Sequence, residues 1–331
     1  MLQTSTPRSM VNAAGITIPL AVAGLAIALG QVVSLVSPLL IALIIGAVMG
    51  NSALGDHALM RGQDRQTKLL LRVGVVLLGL RLPLQDLVHV GVRGIAVITV
   101  TVVATFTLTS FVGAWLGLDR GLISLIAAGF SICGASAIAA VETGIRRRDE
   151  HVALAIAMVT IFGTVMIVAL PLMGTALGLT DVQLGVWAGA SIHEVAQVVA
   201  AASAAGAAAV AIATTIKLGR VSLLAFAFIA AKRRDRSGDK SADSGSTPLV
   251  PWFVTGFVIA AGVRTTGVLG PGVLDVADVA TTVLLASAMF GLGLMMKVSA
   301  LFPVPWRAFA LAGASTAIAA SVSLTLTLAL F

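Results

Sequence analysis

The chain has 331 residues, of which 58% are hydrophobic and 11% are charged, and its mean hydropathy is +1.06. A soluble domain of this length could not bury so much apolar surface, so the composition excludes a soluble globular protein and predicts an integral membrane protein. The net charge of +7 does not indicate nucleic acid binding, because the basic residues lie mainly in short polar stretches beside apolar segments. Anionic membrane lipid is the expected partner of basic residues in such places.

The sequence contains nine apolar segments, most of which approach the roughly 20 residues that an α-helix needs to cross a bilayer. They lack the period-two alternation of membrane strands, so the sequence predicts an all-α polytopic membrane protein. The segments are 14–30, 36–50, 69–90, 94–117, 152–174, 206–231, 250–264, 278–296 and 306–330. Residues 1–13 are predicted to form a cytoplasmic N-terminal tail. Residues 14–331 are predicted to form a single transmembrane domain, with a flexible cytoplasmic loop at 232–248.

Three clusters of basic residues, at 61–68, 146–148 and 232–236, restrict the topology. The positive-inside tendency places all three in the cytoplasm, which is impossible if every apolar stretch is a full crossing. The conflict disappears if the stretches 121–143 and 181–205 enter the membrane and return to the side they came from. Irregular backbone is tolerated at that depth where protein surrounds it. We therefore expect about nine transmembrane helices and two re-entrant or broken helical hairpins, one from each side.

Weak internal similarity agrees with this topology. A shift of 55 residues aligns 134–136 with 189–191 and 160–161 with 215–216. Under the expected topology the matched units point in opposite directions across the bilayer. This is the inverted repeat with which secondary transporters build a substrate site near the midplane.

The first interrupted segment carries Ser131, Cys133, Gly134 and Ser136 in the sequence SICGAS. A hairpin tip at Gly134 would expose backbone N–H groups at the centre of the membrane, and such groups bind anions without a charged side chain. We assign these four residues to substrate binding. The alternative is that they are small packing contacts between helices.

The second interrupted segment contains His193 and Glu194, and Gln197 follows one turn after His193. A carboxylate in hydrocarbon is costly unless it is protonated or paired, so Glu194 is expected to carry a proton or to partner a cation. Histidine can titrate near physiological pH. We assign His193 and Glu194 to the coupling ion and Gln197 to the substrate. The alternative is a hydrated pair at the mouth of the membrane.

Lys217 and Arg220 interrupt an apolar helix and lie on one face of it. Each is about ten residues from either helix end, which is too far for the side chain to reach the surface easily. We expect them to form a positive site for an anionic substrate, or else to form an ion pair with Glu194 or Glu142. Arg81, just before Pro83, is either a second cationic contact or a residue at the lipid headgroups.

The chain contains three motifs: GFSICGASAIAA from Gly129, HEVAQVVAA from His193 and KLGRV from Lys217. Together they resemble the YeiH-like family, whose members are assigned as sulfate exporters. The resemblance covers nearly the whole chain. It implies a multi-pass protein of the bacterial inner membrane, grouped with inverted-repeat transporters such as sodium/proton antiporters and bile acid symporters. The residues that match the family motifs are Cys133, Gly134, Ser136, His193, Glu194, Gln197, Lys217 and Arg220.

Together these features predict a secondary active transporter, not an enzyme, that moves a small anion such as sulfate, sulfite or a sulfonate. A proton or sodium gradient is the expected energy source, because the sequence has no GxxxxGKS or GxxxxGKT motif for ATP. We expect no cofactor and no metal, and a homodimer packed through small residues. One alternative is a cation/proton antiporter or a sodium-coupled organic-acid symporter on the same fold. Another is a membrane-embedded enzyme with Cys133 or Ser136 as nucleophile and His193 as base.

Overall fold

The computed structural model describes residues 8–32, 38–57, 64–81, 84–236, 252–295 and 305–331. These residues form α-helices and short 3₁₀-helices, and they contain no β-strand. In chain order the α-helices are α1 (Arg8–Val32), α2 (Pro38–Gly50), α3 (Asp64–Leu78), α4 (Leu84–Trp115), α5 (Arg120–Ser131), α6 (Ala135–Val141), α7 (Asp149–Ala176), α8 (Asp181–Ser191), α9 (Val195–Ala202), α10 (Ala207–Ser222), α11 (Leu224–Arg236), α12 (Trp252–Thr265), α13 (Pro271–Met295) and α14 (Trp306–Leu330).

Four helices in this part of the chain are long and apolar enough to cross a membrane, and a fifth crossing is present if α10 and α11 form one bent span. The four spans are Gly91–Trp115 within α4, Glu150–Ala176 within α7, Pro271–Met295 and Trp306–Leu330. The bent pair changes direction by 41°. The predicted class, an all-helical membrane protein, is confirmed at this level.

Several element boundaries differ from those predicted. The segment 69–90 is not one crossing: α3 ends at Leu78, a 3₁₀ turn follows at Gly79–Arg81, and α4 begins at Leu84. Proline at position 83 lacks the amide that a continuous helix needs, which explains the division. Helix α1 begins at Arg8, inside the predicted tail, and α11 continues to Arg236, inside the predicted loop. Residues 1–7 and 237–248 of those two predictions lie outside the described residues.

The helices pack as two bundles. The first bundle consists of α1, α2, α3, α12 and α13, and the second consists of α4 to α11 and α14. Glycines allow close approach within the first bundle: a Cβ added at Gly46 of α2 would stand 2.1 Å from the carbonyl oxygen of Phe290 in α13. Small residues of this kind are typical of membrane bundles, in which tight packing rather than escape from water holds helices together.

The second bundle contains a first interrupted helix pair, α5 and α6. The interruption lies at 132–134, where Gly134 has a φ of 72°, a conformation that residues with a side chain rarely adopt. The two ends of this pair lie side by side, since a Cβ added at Gly121 would stand 2.5 Å from the carbonyl oxygen of Arg146. The chain therefore leaves the pair close to where it entered.

A second interrupted pair is formed by α8 and α9, with its interruption at 192–194. Helix α8 runs parallel to α10, because Gly185 and Gly189 of α8 pack on successive turns of α10, at Ala209 and Ala213. Helix α9 leads through one 3₁₀ turn into the start of α10. The end of this pair therefore also lies beside its own start.

The two interruptions are 60 positions apart, so the predicted repeat spacing of 55 is wrong. At the observed spacing, Ser131 and Ile132 align with Ser191 and Ile192, and the preceding Ala–Gly pairs at 128–129 and 188–189 also align. A shift of 55 does not place one interruption on the other.

Residues of the three predicted basic clusters gather on one face of the molecule, which we call the basic face. Glu142 binds Lys68 at 3.2 Å and Arg147 at 3.3 Å, and the backbone N–H of Arg146 donates to Asp235 at 3.2 Å. The clusters therefore share one side, as their charges predicted. Residue 61 of the first cluster lies outside the described residues.

The opposite face is marked by the other end of α3, and we call it the far face. Helix α3 runs from Lys68 toward Arg81, which follows the helix in its 3₁₀ turn. There the Arg81 Nε donates to Asp278 Oδ1 of α13 at 2.8 Å, and Nη2 donates to Thr282 Oγ1 at 2.8 Å. Arg81 is thus paired within the first bundle.

Candidate functional site

The two interruptions meet in the second bundle, at a place we call the crossover (residues 131–135 and 191–195). Lys217 of α10 joins them, because its Nζ donates to the carbonyl oxygens of Ile132 and Ile192, both at 2.7 Å. These two residues are the C-caps of α5 and α8. The last carbonyls of a helix lack partners and carry partial negative charge, so a cation is stabilised there.

Arg220 lies one turn after Lys217 and binds the same two helix ends through five hydrogen bonds. Its acceptors are carbonyl oxygens at the ends of α5 and α8: Phe130 at 2.9 Å, Ser131 at 2.8 and 3.0 Å, Gly189 at 3.3 Å and Ile192 at 3.0 Å. The Lys217 and Arg220 side chains are both 0% exposed. The planar guanidinium suits this arrangement, since its fixed donors can bind carbonyls of two helices at once.

Lys217 and Arg220 therefore use their donors on backbone carbonyls. A substrate anion bound directly to them, as predicted, would compete with those carbonyls. The predicted alternative of an ion pair between these cations and Glu142 is wrong, because Glu142 lies on the basic face and binds Lys68 and Arg147.

Glu194, by contrast, lies at the N-terminal end of a helix. It is the N-cap of α9 in a capping box: its carboxylate accepts from the backbone N–H of Gln197, and the Gln197 Oε1 accepts from the backbone N–H of Glu194 at 3.2 Å. The carboxylate also lies against the start of α6, since a Cβ at Gly134 would stand 2.6 Å from the Glu194 Cγ and 3.1 Å from Oε1. Oε1 has no hydrogen-bond partner among the described residues. A negative charge thus occupies the positive ends of two helices.

His193, the chain neighbour of Glu194, is fully buried. Its Nε2 lies 3.0 Å from Thr316 Oγ1 of α14, and its ring packs 4.4 Å from the ring centroid of Phe130. The Thr316 hydroxyl donates its own hydrogen to Ala312 at 3.0 Å, so Nε2 must be the donor to Thr316. His193 therefore ties the crossover to α14, and in this part of the molecule it makes no hydrogen bond to Cys133 or Ser136.

A cavity of about 380 Å³, the main cavity, lies between the two bundles beside the crossover. The second bundle lines it with Cys133, Ser136, Glu194 and a row of residues along α9 that ends at Ser203. The first bundle contributes parts of α1, α2, α3 and α13, and Arg81 with Thr282 provides its polar groups. The volume lies in the range of about 300–1,000 Å³ typical of small-molecule sites.

The structure brings the predicted site residues together in two layers. Cys133, Ser136 and Glu194 line the main cavity. The other predicted residues surround the crossover without lining the cavity: Ser131, Gly134, His193, Gln197, Lys217 and Arg220. The sequence did not reveal the roles of Asp278, Thr282 and Thr316, because a single polar residue in an apolar helix does not indicate its partner.

Comparison with known proteins identifies the family. The family profile described as "Conserved hypothetical protein 698" matches residues 14–312. A UPF0324 membrane protein of Corynebacterium glutamicum is 40% identical over 294 residues, which cover 88% of this chain and 85% of that protein. A UPF0324 membrane protein of Pseudomonas aeruginosa is 38% identical, with 87% and 85% covered.

A third relative carries the name that the sequence motifs suggested. The UPF0324 inner membrane protein YeiH of Salmonella typhi is 36% identical over 275 residues, which cover 80% of this chain and 78% of that protein. No solved structure matches the chain. With a family profile over most of its length and relatives of this identity, the chain belongs to the UPF0324, or YeiH-like, family of bacterial membrane proteins.

Proposed function

We propose that the chain is a secondary active transporter, not an enzyme, and that its substrate is a small anion of the sulfate, sulfite or sulfonate type. The observation that carries the proposal is the main cavity at the crossover, where the first turns of α6 and α9 meet Glu194 between two bundles. The unpaired N–H groups and partial positive charge of helix N-termini attract anions. Interrupted helices that meet at such a cavity are typical of secondary transporters.

We infer a topology of nine crossings and two re-entrant hairpins. Pair α5–α6 returns to the basic face and pair α8–α9 to the far face, and α7 joins the two faces. Its 28 residues extend about 42 Å, enough to cross a bilayer. The other crossings are α1, α2, α3, α4, α10 with α11, α12, α13 and α14. A cytoplasmic basic face would place the N-terminus in the cytoplasm, since Gly15 of α1 packs on Gln66 at the start of α3.

Glu194 is the proposed coupling group. Its carboxylate already caps α9 and lies against the start of α6. A substrate anion in the main cavity would therefore be repelled by the negative charge and would compete with the carboxylate for the N–H groups. Protonation would remove that charge, and an anion and a proton would therefore bind together. His193 does not line the cavity, and we assign it to positioning the crossover.

Lys217 and Arg220 are proposed positioning residues that favour the anion indirectly. By binding the carbonyls at the ends of α5 and α8, they fix the positions of the two interruptions. They also neutralise the partial negative charge of the two helix ends. When Glu194 is protonated, the positive N-termini of α6 and α9 are then left to face an anion in the cavity.

Uptake measurements in proteoliposomes test the proposed function. We expect the purified protein to accumulate labelled sulfate, sulfite or a sulfonate when a pH gradient, acid outside, is imposed. Glu194→Gln should make the rate of uptake independent of the gradient, because the substituted amide cannot exchange a proton. Glu150→Gln is the matched control, since this carboxylate is exposed and pairs only locally with Arg148 at 2.6 Å. Uptake no faster than in empty liposomes, or an unchanged gradient response in Glu194→Gln, would contradict the proposal.

A second candidate is exchange of a cation for protons at the same site. It is favoured by the Glu194 Oε1, which is buried and without a hydrogen-bond partner in the described structure, because such an oxygen can bind a cation. Competition distinguishes the two candidates. Anion transport predicts that unlabelled sulfate inhibits uptake and that sodium does not, whereas cation exchange predicts sodium-driven proton movement that sulfate leaves unchanged.

A further inference from the structure

The main cavity extends from the crossover in one direction only. Along α3 its lining residues run from Leu71 through Leu78 to Arg81, and along α9 they run from Val195 to Ser203. Both series lead away from the basic face and toward the far face. The hairpin that returns to the basic face lines this cavity with Cys133 of its interruption and with the first turn of α6.

The path from the crossover toward the basic face is almost closed. A second cavity, the minor cavity, lies there with a volume of about 10 Å³. This volume is at the lower limit for holding one water molecule. Leu71 and Ser136 line both cavities, so the two are consecutive parts of one route between the bundles. Leu71 and Ser136 therefore mark the boundary between the wide and the narrow part of this route.

An ion-pair cluster stands at the basic end of the minor cavity. Lys68 lines the minor cavity and belongs to the first bundle, whereas Glu142 and Arg147 belong to the second. The Glu142 carboxylate binds Lys68 at 3.2 Å and Arg147 at 3.3 Å, and its side chain is only 4% exposed. Arg72, also at the minor cavity, lies 5.8 Å from the centroid of the Phe253 ring and adds a second contact within the first bundle.

We propose that Lys68, Glu142 and Arg147 form a gate that closes the substrate route at the basic face, and that the structure is the state open to the far face. This inference rests on the proposed transport function, because a gate presumes a route. Glu142 is the central residue, since it contacts both cations and its pair with Lys68 joins the two bundles. A buried ion pair loses its stabilisation when one partner is removed, because the other charge is left unpaired.

Cys133 provides a native reporter for this gate. It is the only cysteine of the chain and it lines the main cavity. A membrane-impermeant thiol reagent, a charged methanethiosulfonate, can be applied to vesicles of either orientation. The permeant reagent N-ethylmaleimide serves as the reference for thiol reactivity. The measurement needs no substrate, so it can succeed or fail independently of the anion assay.

We expect Cys133 of the unchanged protein to react with the impermeant reagent from the far face and not from the basic face. Glu142→Gln should increase the rate of reaction from the basic face at least about tenfold, which corresponds to about 1.4 kcal/mol. Lys68→Gln should act in the same direction and provides a second test if Glu142→Gln does not fold. Glu150→Gln should leave the rate unchanged.

Two results would overturn the gate. One is reaction of Cys133 from the basic face in the unchanged protein at a rate equal to that from the far face. The other is a basic-face rate in Glu142→Gln and Lys68→Gln that equals the rate in Glu150→Gln.

Discussion

At the scale of single residues, the buried charges of the crossover are matched to helix ends. The cations Lys217 and Arg220 contact the C-terminal carbonyls of α5 and α8, and the carboxylate of Glu194 caps the N-terminus of α9. Each buried carbonyl left without a partner would cost about 1–3 kcal/mol. The contacts satisfy these carbonyls and also give the buried cations their partners, which explains why the cations are tolerated there. The sequence assigns Lys217, Arg220 and Glu194 to substrate and ion binding, whereas in the structure these side chains contact the protein's own backbone.

Replacing Arg220 by lysine should destabilise the protein although the charge is kept. A lysine ammonium cannot reproduce the planar fork that binds four carbonyls on two helices. We expect a loss of about 3 kcal/mol, and a thermal midpoint in detergent lowered by roughly 5–10 °C. Arg93→Lys is the control because Arg93 is exposed on α4. Equal midpoints for the two variants would show that the fork is not required.

At the scale of elements, the second bundle is organised around two short interrupted helix pairs. Each pair ends its first helix at the crossover and begins its second there, so four helix ends meet within the bundle. Irregular backbone is acceptable at this depth because side chains of α9 and α10 satisfy it. At Gly134 the two pairs are in close contact, since the Glu194 side chain fills the space that a Cβ would need.

Gly134→Ala should therefore impair the crossover more than a comparable change elsewhere. The backbone conformation alone, with φ of 72° and ψ of −129°, costs about 1–3 kcal/mol for a residue with a side chain. A new Cβ 2.6 Å from the Glu194 Cγ would in addition displace the carboxylate. Gly206→Ala isolates the backbone effect, because Gly206 has a φ of 91° but no atom within 4 Å of the added Cβ.

The measurement for this pair is anion uptake per amount of folded protein. We expect Gly134→Ala to abolish uptake and Gly206→Ala to retain it, with a modestly lower thermal midpoint. Similar uptake by the two variants would mean that contact between the interruptions does not matter for transport.

At the scale of the whole molecule, two bundles enclose a route that is wide toward the far face and narrow toward the basic face. The bundles touch directly where α3 meets α6 and where α4 meets α12. The proposed transport would require one bundle to move against the other, and a small contact between two well-packed bundles permits such a movement. The ion pair between Glu142 and Lys68 is a polar part of this contact.

Cysteine labelling in a Cys133→Ala background tests the topology. Arg120→Cys and Arg148→Cys flank pair α5–α6, and Thr180→Cys and Ala204→Cys flank pair α8–α9; all four positions are exposed. If both pairs are re-entrant, the first two cysteines react from the same side of the membrane and the last two from the other side. A pair that crosses the membrane would place its two flanking cysteines on opposite sides.

Much of the fold was predictable from local chemistry. The apolar segments predicted helices, and the polar residues beside Gly134 and Gly189 predicted interruptions within the stretches 121–143 and 181–205, where the structure has them. The shared side of the basic clusters followed from their charges. The repeat spacing was not predicted correctly, although the recurring Ser–Ile pair before each interruption carried the signal.

The sequence by itself therefore determined the environment and the secondary structure of this protein, because hydrocarbon admits only segments that satisfy their own backbone. It also determined which residues are unusual at membrane depth. Only the tertiary structure decided what those residues bind: Lys217 and Arg220 bind the ends of helices that start 97 and 36 positions before Lys217 in the chain, and Glu142 binds Lys68. Partners of buried charges are chosen by packing between distant segments, and residue type and local spacing carry no information about that choice.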